Sequence, residues 1–260
     1  MKDPPTELNP RLLLQAYAAG IFPMAASADS DDICWFDPQH RGIILLDRFR
    51  MSRSLAKRVR RADYQVAVNR DFAGVVAACA DRPETWINAE ISDFYRQMHA
   101  IGHAHSQEIY AKGCLIGGVY GVTLGGAFFG ESMFSRTRDG SKIALAYLVH
   151  RLVAGGFTLF DTQFGTPHLA SLGGVEVSRA KYRRMLTDAL QQQAGFAAVD
   201  TPGADDLVRF YRGQRQEHER IRFKAGTHLS LIGKPQSQVL TAPAACSAEP
   251  RRRSADVQGH

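Results

Sequence analysis

At 260 residues the chain can hold one large domain or a small one joined to a mid-sized one, and its 45% hydrophobic content is that of a globular protein. A formal net charge of +6 favours an anionic partner, nucleic acid ahead of membrane, because no apolar stretch approaches the length of a spanning helix. Four cysteines, at 34, 79, 114 and 246, form no CxxC pair, which argues against both a disulfide framework and a cysteine zinc site.

In chain order, Asn9 caps a first helix, Pro10 suits its opening position, residues 12 to 19 fill it and Gly20 ends it. Its Leu12-Leu13-Leu14 run is too short for a signal sequence, so cytoplasmic residence is expected. Ile33 to Phe36 and Gly42 to Leu46 read as strands of a small N-terminal unit spanning 1–48. Ser52 then opens a helix whose Arg53, Lys57, Arg58, Arg60 and Arg61 spread positive charge over its outer surface. Phosphates would find that surface attractive, although a solvated helix face needs no ligand.

A strand over 64–68, a helix over 72–80 and a helix over 91–101 follow. Ser106 to Tyr110, Leu115 to Val122 and Ala127 to Phe134 form an antiparallel meander, with turns at Lys112-Gly113 and Gly125-Gly126. Ser141 is placed as the cap of a helix through Val153, Thr158 to Phe164 as a strand, and Ser178 as the start of the last clear helix. The pattern predicts an α+β fold, with a mixed, mainly antiparallel sheet flanked by helices over 49–200. Residues 201–260 read as a polar, basic and largely mobile extension ending near Arg251-Arg252-Arg253.

Two stretches carry chemistry. Gly130-Glu131-Ser132-Met133-Phe134 sets a lone carboxylate in apolar, glycine-rich surroundings, and Asp161 and Gln163, two apart on a strand, project from one face. Carboxylates facing a core are costly unless paired, so the two acids point to a cleft. His99, His103 and His105 beside Cys114 make a poor zinc set, because Gly102 breaks the helix between the first two histidines, and no ordered nucleophile motif supports a hydrolase.

The meander, helix and strand resemble the core of the GCN5-related N-acyltransferases. The loop Arg136-Thr137-Arg138-Asp139-Gly140-Ser141 has only one glycine where that superfamily has a glycine-rich phosphate loop, so acetyl-CoA fits poorly. A closer resemblance is carried by Tyr17-Ala18-Ala19-Gly20-Ile21-Phe22-Pro23, by Trp35 with Pro38 and Arg41, and by Thr85-Trp86-Ile87. Gly102-His103-Ala104-His105-Ser106, Gly130 to Ser135 and Asp161-Thr162-Gln163 complete it. Together, in unbroken order over about residues 10 to 190, these resemble the leucyl/phenylalanyl-tRNA–protein transferase family.

The resemblance implies an acyltransferase-like domain behind a small N-terminal one. It implies an enzyme without cofactor or metal that moves Leu or Phe from Leu-tRNA or Phe-tRNA to proteins beginning with Arg or Lys, marking them for degradation. A monomer away from membranes is expected. The catalytic pair maps to Asp161 and Gln163, the acceptor's basic side chain to Glu131, and the aminoacyl side-chain pocket to Val119, Phe128 and Met133. Trp35 and Trp86 offer rings for the terminal adenosine, and the Arg53 to Arg61 helix offers phosphate contacts. Thr166 stands where family members carry an Asn three residues after the Gln. The rival readings are a CoA-dependent N-acetyltransferase and a non-catalytic tRNA-binding module.

Overall fold

The computed structural model describes residues 9–30 and 32–225. In chain order the elements are α1 (Pro10–Ala18), β1 (Phe22–Ala25), β2 (Ile33–Phe36), β3 (His40–Ile44), α2 (Arg53–Arg60), β4 (Gln65–Val68), α3 (Phe72–Ala80) and α4 (Ala89–Ala100). They continue with β5 (Ala104–Ala111), β6 (Cys114–Leu124), β7 (Ala127–Ser135), α5 (Gly140–Ala154), β8 (Leu159–Gln163), α6 (Pro167–Ser171), β9 (Gly174–Ser178), α7 (Arg179–Leu190) and α8 (Ala204–Ala225).

Local chemistry explains most boundaries. Asn9, Ser52, Asn88 and Ser178 each accept a backbone N–H inside the helix that follows, which satisfies one of its orphan donors. The β5–β6 turn puts both Lys112 and Gly113 at positive φ, as a tight hairpin turn requires. The cap of α5 differs from expectation. Asp139 stands there in a left-handed conformation without a side-chain cap, and the Ser141 N–H is met instead by Ser135 Oγ at 3.1 Å, because the preceding strand ends against the helix.

Seven strands form one sheet in the order β4-β5-β6-β7-β8-β3-β9, and β1 pairs with β2 in a separate hairpin. Every neighbouring pair in the large sheet is antiparallel except β7 and β8, which α5 joins by a crossover. Buried side chains from α1, α3, α4 and α7 cover one face, and those of α2, α5 and α8 cover the other. This is the α+β arrangement expected, a mixed, mainly antiparallel sheet flanked by helices.

Two expectations need correction. The strand around Gly42 to Ile44, read as part of the N-terminal unit, lies in the large sheet between β8 and β9, its residues from Arg41 to Ile44 all buried. A short apolar run says that a strand is buried but not which sheet it joins. The extension read as mobile begins with an ordered helix: Leu207, Val208 and Tyr211 of α8 are buried, and the Tyr211 hydroxyl donates to the Ala146 carbonyl at 2.6 Å. Three apolar residues in a charged stretch were enough to dock it. Residues 226–260, with the arginine run, lie outside the described residues.

Candidate active site

β7 and β8 pair in parallel only as far as Phe129 opposite Asp161. Beyond that point both leave the regular ladder. On β7, Gly130 pairs with Gly121 and Ser132 with Tyr120, so Glu131 is the extra residue of a bulge. On β8, Asp161 faces Ile43 and Gln163 faces Gly42, so Thr162 is extra in turn. Bulges bend a strand and re-aim its side chains, and two of them at the end of a shared ladder open a wedge. A cavity of ≈ 70 Å³ lies in that wedge, walled by Val119, Glu131, Met133, Leu145, Phe160 and Leu169 among others.

Glu131 is buried in the cavity wall. The Tyr17 hydroxyl donates to its Oε1 at 2.7 Å and the Tyr95 hydroxyl to its Oε2 at 2.6 Å. Burial pushes its pKa up to about 7; the two tyrosines and the nearby Gln163 amide hold it down, and the negative charge of Asp161 raises it further. The carboxyl can therefore be neutral or charged near neutral pH, and a cation placed beside it would draw it to the charged form.

Asp161 has no exposed surface. Arg41 Nε reaches both its oxygens at 2.9 and 3.1 Å, Arg41 Nη2 donates at 2.7 Å, the Tyr182 hydroxyl at 2.6 Å and the Gln163 N–H at 2.8 Å. A carboxylate has about four acceptor sites, and here each is met by a donor. Arg41 is itself packed between the rings of Phe22 and Tyr182 and donates from Nη1 to the Gly20 carbonyl. The residue is fixed as a brace.

What it braces is Gln163. That residue has φ +60°, and Phe164 N donates to the Thr162 carbonyl at 2.7 Å, closing a γ-turn around it. Positive φ at a non-glycine residue holds of order 1–3 kcal/mol of strain and clusters at functional sites. Gly42 is opposite because nothing larger fits: a Cβ there would lie 2.5 Å from the Phe164 carbonyl carbon. The Gln163 Nε2 is buried with no hydrogen-bond partner. It is near enough to Glu131 to lower that residue's pKa, yet is not aligned in a regular hydrogen bond with it.

Other expected residues are distributed unevenly. Val119 and Met133 wall the cavity, while Phe128 is packed beneath it against Phe160 and Phe196 and is not among the lining residues. Trp86 is half-buried and meets the Tyr95 ring edge-on at 6.5 Å. Trp35 is 41% exposed on the β1–β2 hairpin. On α2, Arg58 pairs with Asp63 and Arg60 with Asp205 of α8, whereas Arg53, Lys57 and Arg61 are exposed with no ion pair among the described residues. His99 and His103 each bond a backbone carbonyl through Nδ1, and His105 bonds Asn69. Thr166 caps α6 through its Oγ1, a task that an Asn performs equally well.

Tyr95 and Tyr182 carry no functional signal in the sequence, since a tyrosine on an amphipathic helix reads as core. Tyr17 and Arg41 belong to the recognised motifs, but only the fold reveals that they serve the two acids.

The wedge thus sets a buried carboxyl with a raised pKa in a cavity wall, beside a strained amide without a partner; the class of protein that carries it is given by sequence, and it is that of the aminoacyltransferases. Residues 43–187 match the sequence model of leucyl/phenylalanyl-tRNA protein transferase, and residues 6–39 match the model of its N-terminal domain. The leucyl/phenylalanyl-tRNA–protein transferase of Ruegeria sp. (strain TM1040) is 63% identical over 202 residues, covering 78% of this chain and 96% of that protein. The protein of the same name from Cereibacter sphaeroides (strain KD131 / KCTC 12085) is 64% identical over 192 residues, 74% of this chain and 90% of that one. A solved structure titled "The structure of L-PGS from Bacillus licheniformis" is 13% identical with a TM-score of 0.40, over 68% of this chain and 69% of that chain. The chain belongs to the leucyl/phenylalanyl-tRNA–protein transferase family and is an aminoacyltransferase. No helix among the described residues is long and apolar enough to cross a membrane.

Proposed function

We propose that this protein transfers leucine or phenylalanine from aminoacyl-tRNA to the α-amino group of proteins that begin with Arg or Lys, in the cytoplasm, marking them for degradation. The observation that carries the reading is the wedge between β7 and β8, which sets an apolar cavity beside a carboxyl able to charge on demand. An aminoacyl side chain suits the apolar wall, where Met133 is an adaptable surface for two different shapes. The guanidinium or ammonium of the acceptor's first residue suits Glu131, because a buried charge-assisted pair discriminates against neutral side chains.

The chemistry is aminolysis of an ester that is already activated, so alignment dominates. The α-amino nitrogen bonds to the aminoacyl carbonyl carbon, the bond from that carbon to the ribose oxygen breaks, and the proton lost by nitrogen ends on the ribose oxygen. Gln163 is the group free to meet both reactants: its amide oxygen accepts from the amine while Nε2 donates to the ester carbonyl. Asp161, with its acceptor sites filled, works through the amide by holding the turn. The proton then passes by way of the ribose hydroxyls.

Radiolabelled leucine on tRNA, offered to a peptide beginning with Arg and to one beginning with Ala, tests the reading. Label in the first peptide only is the expected result. Retention of tRNA with label in neither would leave a binding module, and acetylation from acetyl-CoA would favour the rival enzyme.

A further inference from the structure

The loop between α3 and α4 carries a cation that the mechanism above does not use. Arg82 is exposed, yet its guanidinium is held at several points. Nε donates to the Cys79 carbonyl at 2.8 Å, in the last turn of α3. Nη2 donates to Ser132 Oγ at 2.9 Å and to the Met133 carbonyl at 3.3 Å, two residues of the bulged strand that wall the cavity. Holding a side chain with so many rotamers costs conformational entropy, which these bonds offset. Asp81 and Glu84 flank it in sequence, but no ion pair among the described residues includes Arg82, and Nη1 makes no hydrogen bond there. The end of α3 favours a nearby positive charge, but that accounts only for the Nε side of the fork. Trp86, four residues on, meets the Tyr95 ring, and the Tyr95 hydroxyl reaches Glu131. The loop therefore sets a fixed, unneutralised cation and an aromatic ring along one side of the wedge.

We propose that Arg82 binds a backbone phosphate near the 3′ end of the aminoacyl-tRNA and so seats the terminal nucleotides at the mouth of the wedge. A planar guanidinium with one edge already bonded presents its remaining N–H groups in a fixed direction, which suits a phosphate oxygen better than a mobile lysine would. Only an enzyme that takes its acyl group from a polynucleotide needs such a contact, so the inference rests on the transfer reaction proposed above.

Two donors separate a phosphate contact from a structural brace: leucyl-tRNA, and leucyl-adenosine, which contains no phosphate. Arg82→Ala and Arg82→Gln are compared with the unaltered enzyme on both, with an Arg-peptide acceptor. The KM for leucyl-tRNA is expected to rise about tenfold, as loss of one charge-assisted hydrogen bond implies, and its salt dependence to weaken by about one in log–log slope. Turnover of leucyl-adenosine, which tests the bracing of Ser132 and Met133 alone, is expected to fall by clearly less than that of leucyl-tRNA in both variants. Equal losses on the two donors, or no loss on leucyl-tRNA, would overturn the assignment. An unaltered enzyme that uses neither donor would overturn the transfer reaction itself, and this inference with it.

Discussion

Asp161 and Glu131 are two buried acids with opposite surroundings. Asp161 meets an arginine, a tyrosine and a backbone N–H; Glu131 meets only neutral donors. Removing the cation from the first should therefore be severe. Arg41→Met is expected to cost about 3–5 kcal/mol in urea unfolding, because it strands a buried charge, and a cost near zero would contradict the ion pair. For Glu131 the folded pKa of about 7 lies above the ordinary carboxyl value, so its neutral form stabilises the free protein. That contribution is full below the unfolded value and is lost as pH rises through 7. Glu131→Gln should accordingly raise the melting temperature more at pH 8 than at pH 5. Binding follows the opposite sense: protonation of the acceptor α-amine raises KM below 7 for both peptides alike, and on top of that the KM for an Arg-peptide should rise by up to about tenfold per pH unit relative to that for the isosteric, uncharged citrulline peptide. Parallel pH profiles for the two peptides would remove Glu131 from acceptor recognition.

At the scale of elements, the wedge depends on two bulges and a γ-turn. Gly42→Ala pushes a methyl group against the Phe164 carbonyl, where less than 3 Å separates them. The turn must shift, at a cost of about 1–3 kcal/mol, and single-turnover transfer should slow more than KM changes. Normal turnover would show that the turn's geometry is immaterial. The caps at Asn9, Ser52 and Ser178, the meander and the hairpin glycines were legible because each is written in local chemistry, whereas the start of α5 was not. The bulges were not: the period of two placed Asp161 and Gln163 on one face by simple alternation, whereas Thr162 is an extra residue and Gln163 is turned by its positive φ. The short strand β9 and helix α6 went unread as well. Gly174-Val-Glu-Val-Ser is exposed over much of its length and becomes a strand only because β3 offers an edge. The two acids and Gln163 stood out as polar residues in apolar runs, but their tyrosine and arginine partners come from elements far away in sequence.

Across the whole molecule, the +6 charge is not spread evenly over functional surface. α8 sets Asp205 against Arg60, and Asp63 holds Arg58, which leaves Arg53 and Lys57 of α2, and Arg61 at its C-terminal cap, without an ion pair among the described residues. These are the residues we assign to tRNA phosphates. Lys57→Glu with Arg61→Glu should weaken tRNA binding at every sequence and reduce its salt slope by about two, as filter binding over a salt series would record; unchanged slopes would place the tRNA elsewhere. The account as a whole requires the aminoacyl group to enter the opening between β7 and β8. A crystal structure with an amide-linked, non-hydrolysable leucyl-adenosine measures this directly. The leucyl side chain is predicted to contact Val119, Met133 and Leu145, with its carbonyl within hydrogen-bond distance of the Gln163 amide. An analogue bound away from the wedge, with that amide still unpartnered, would contradict the account.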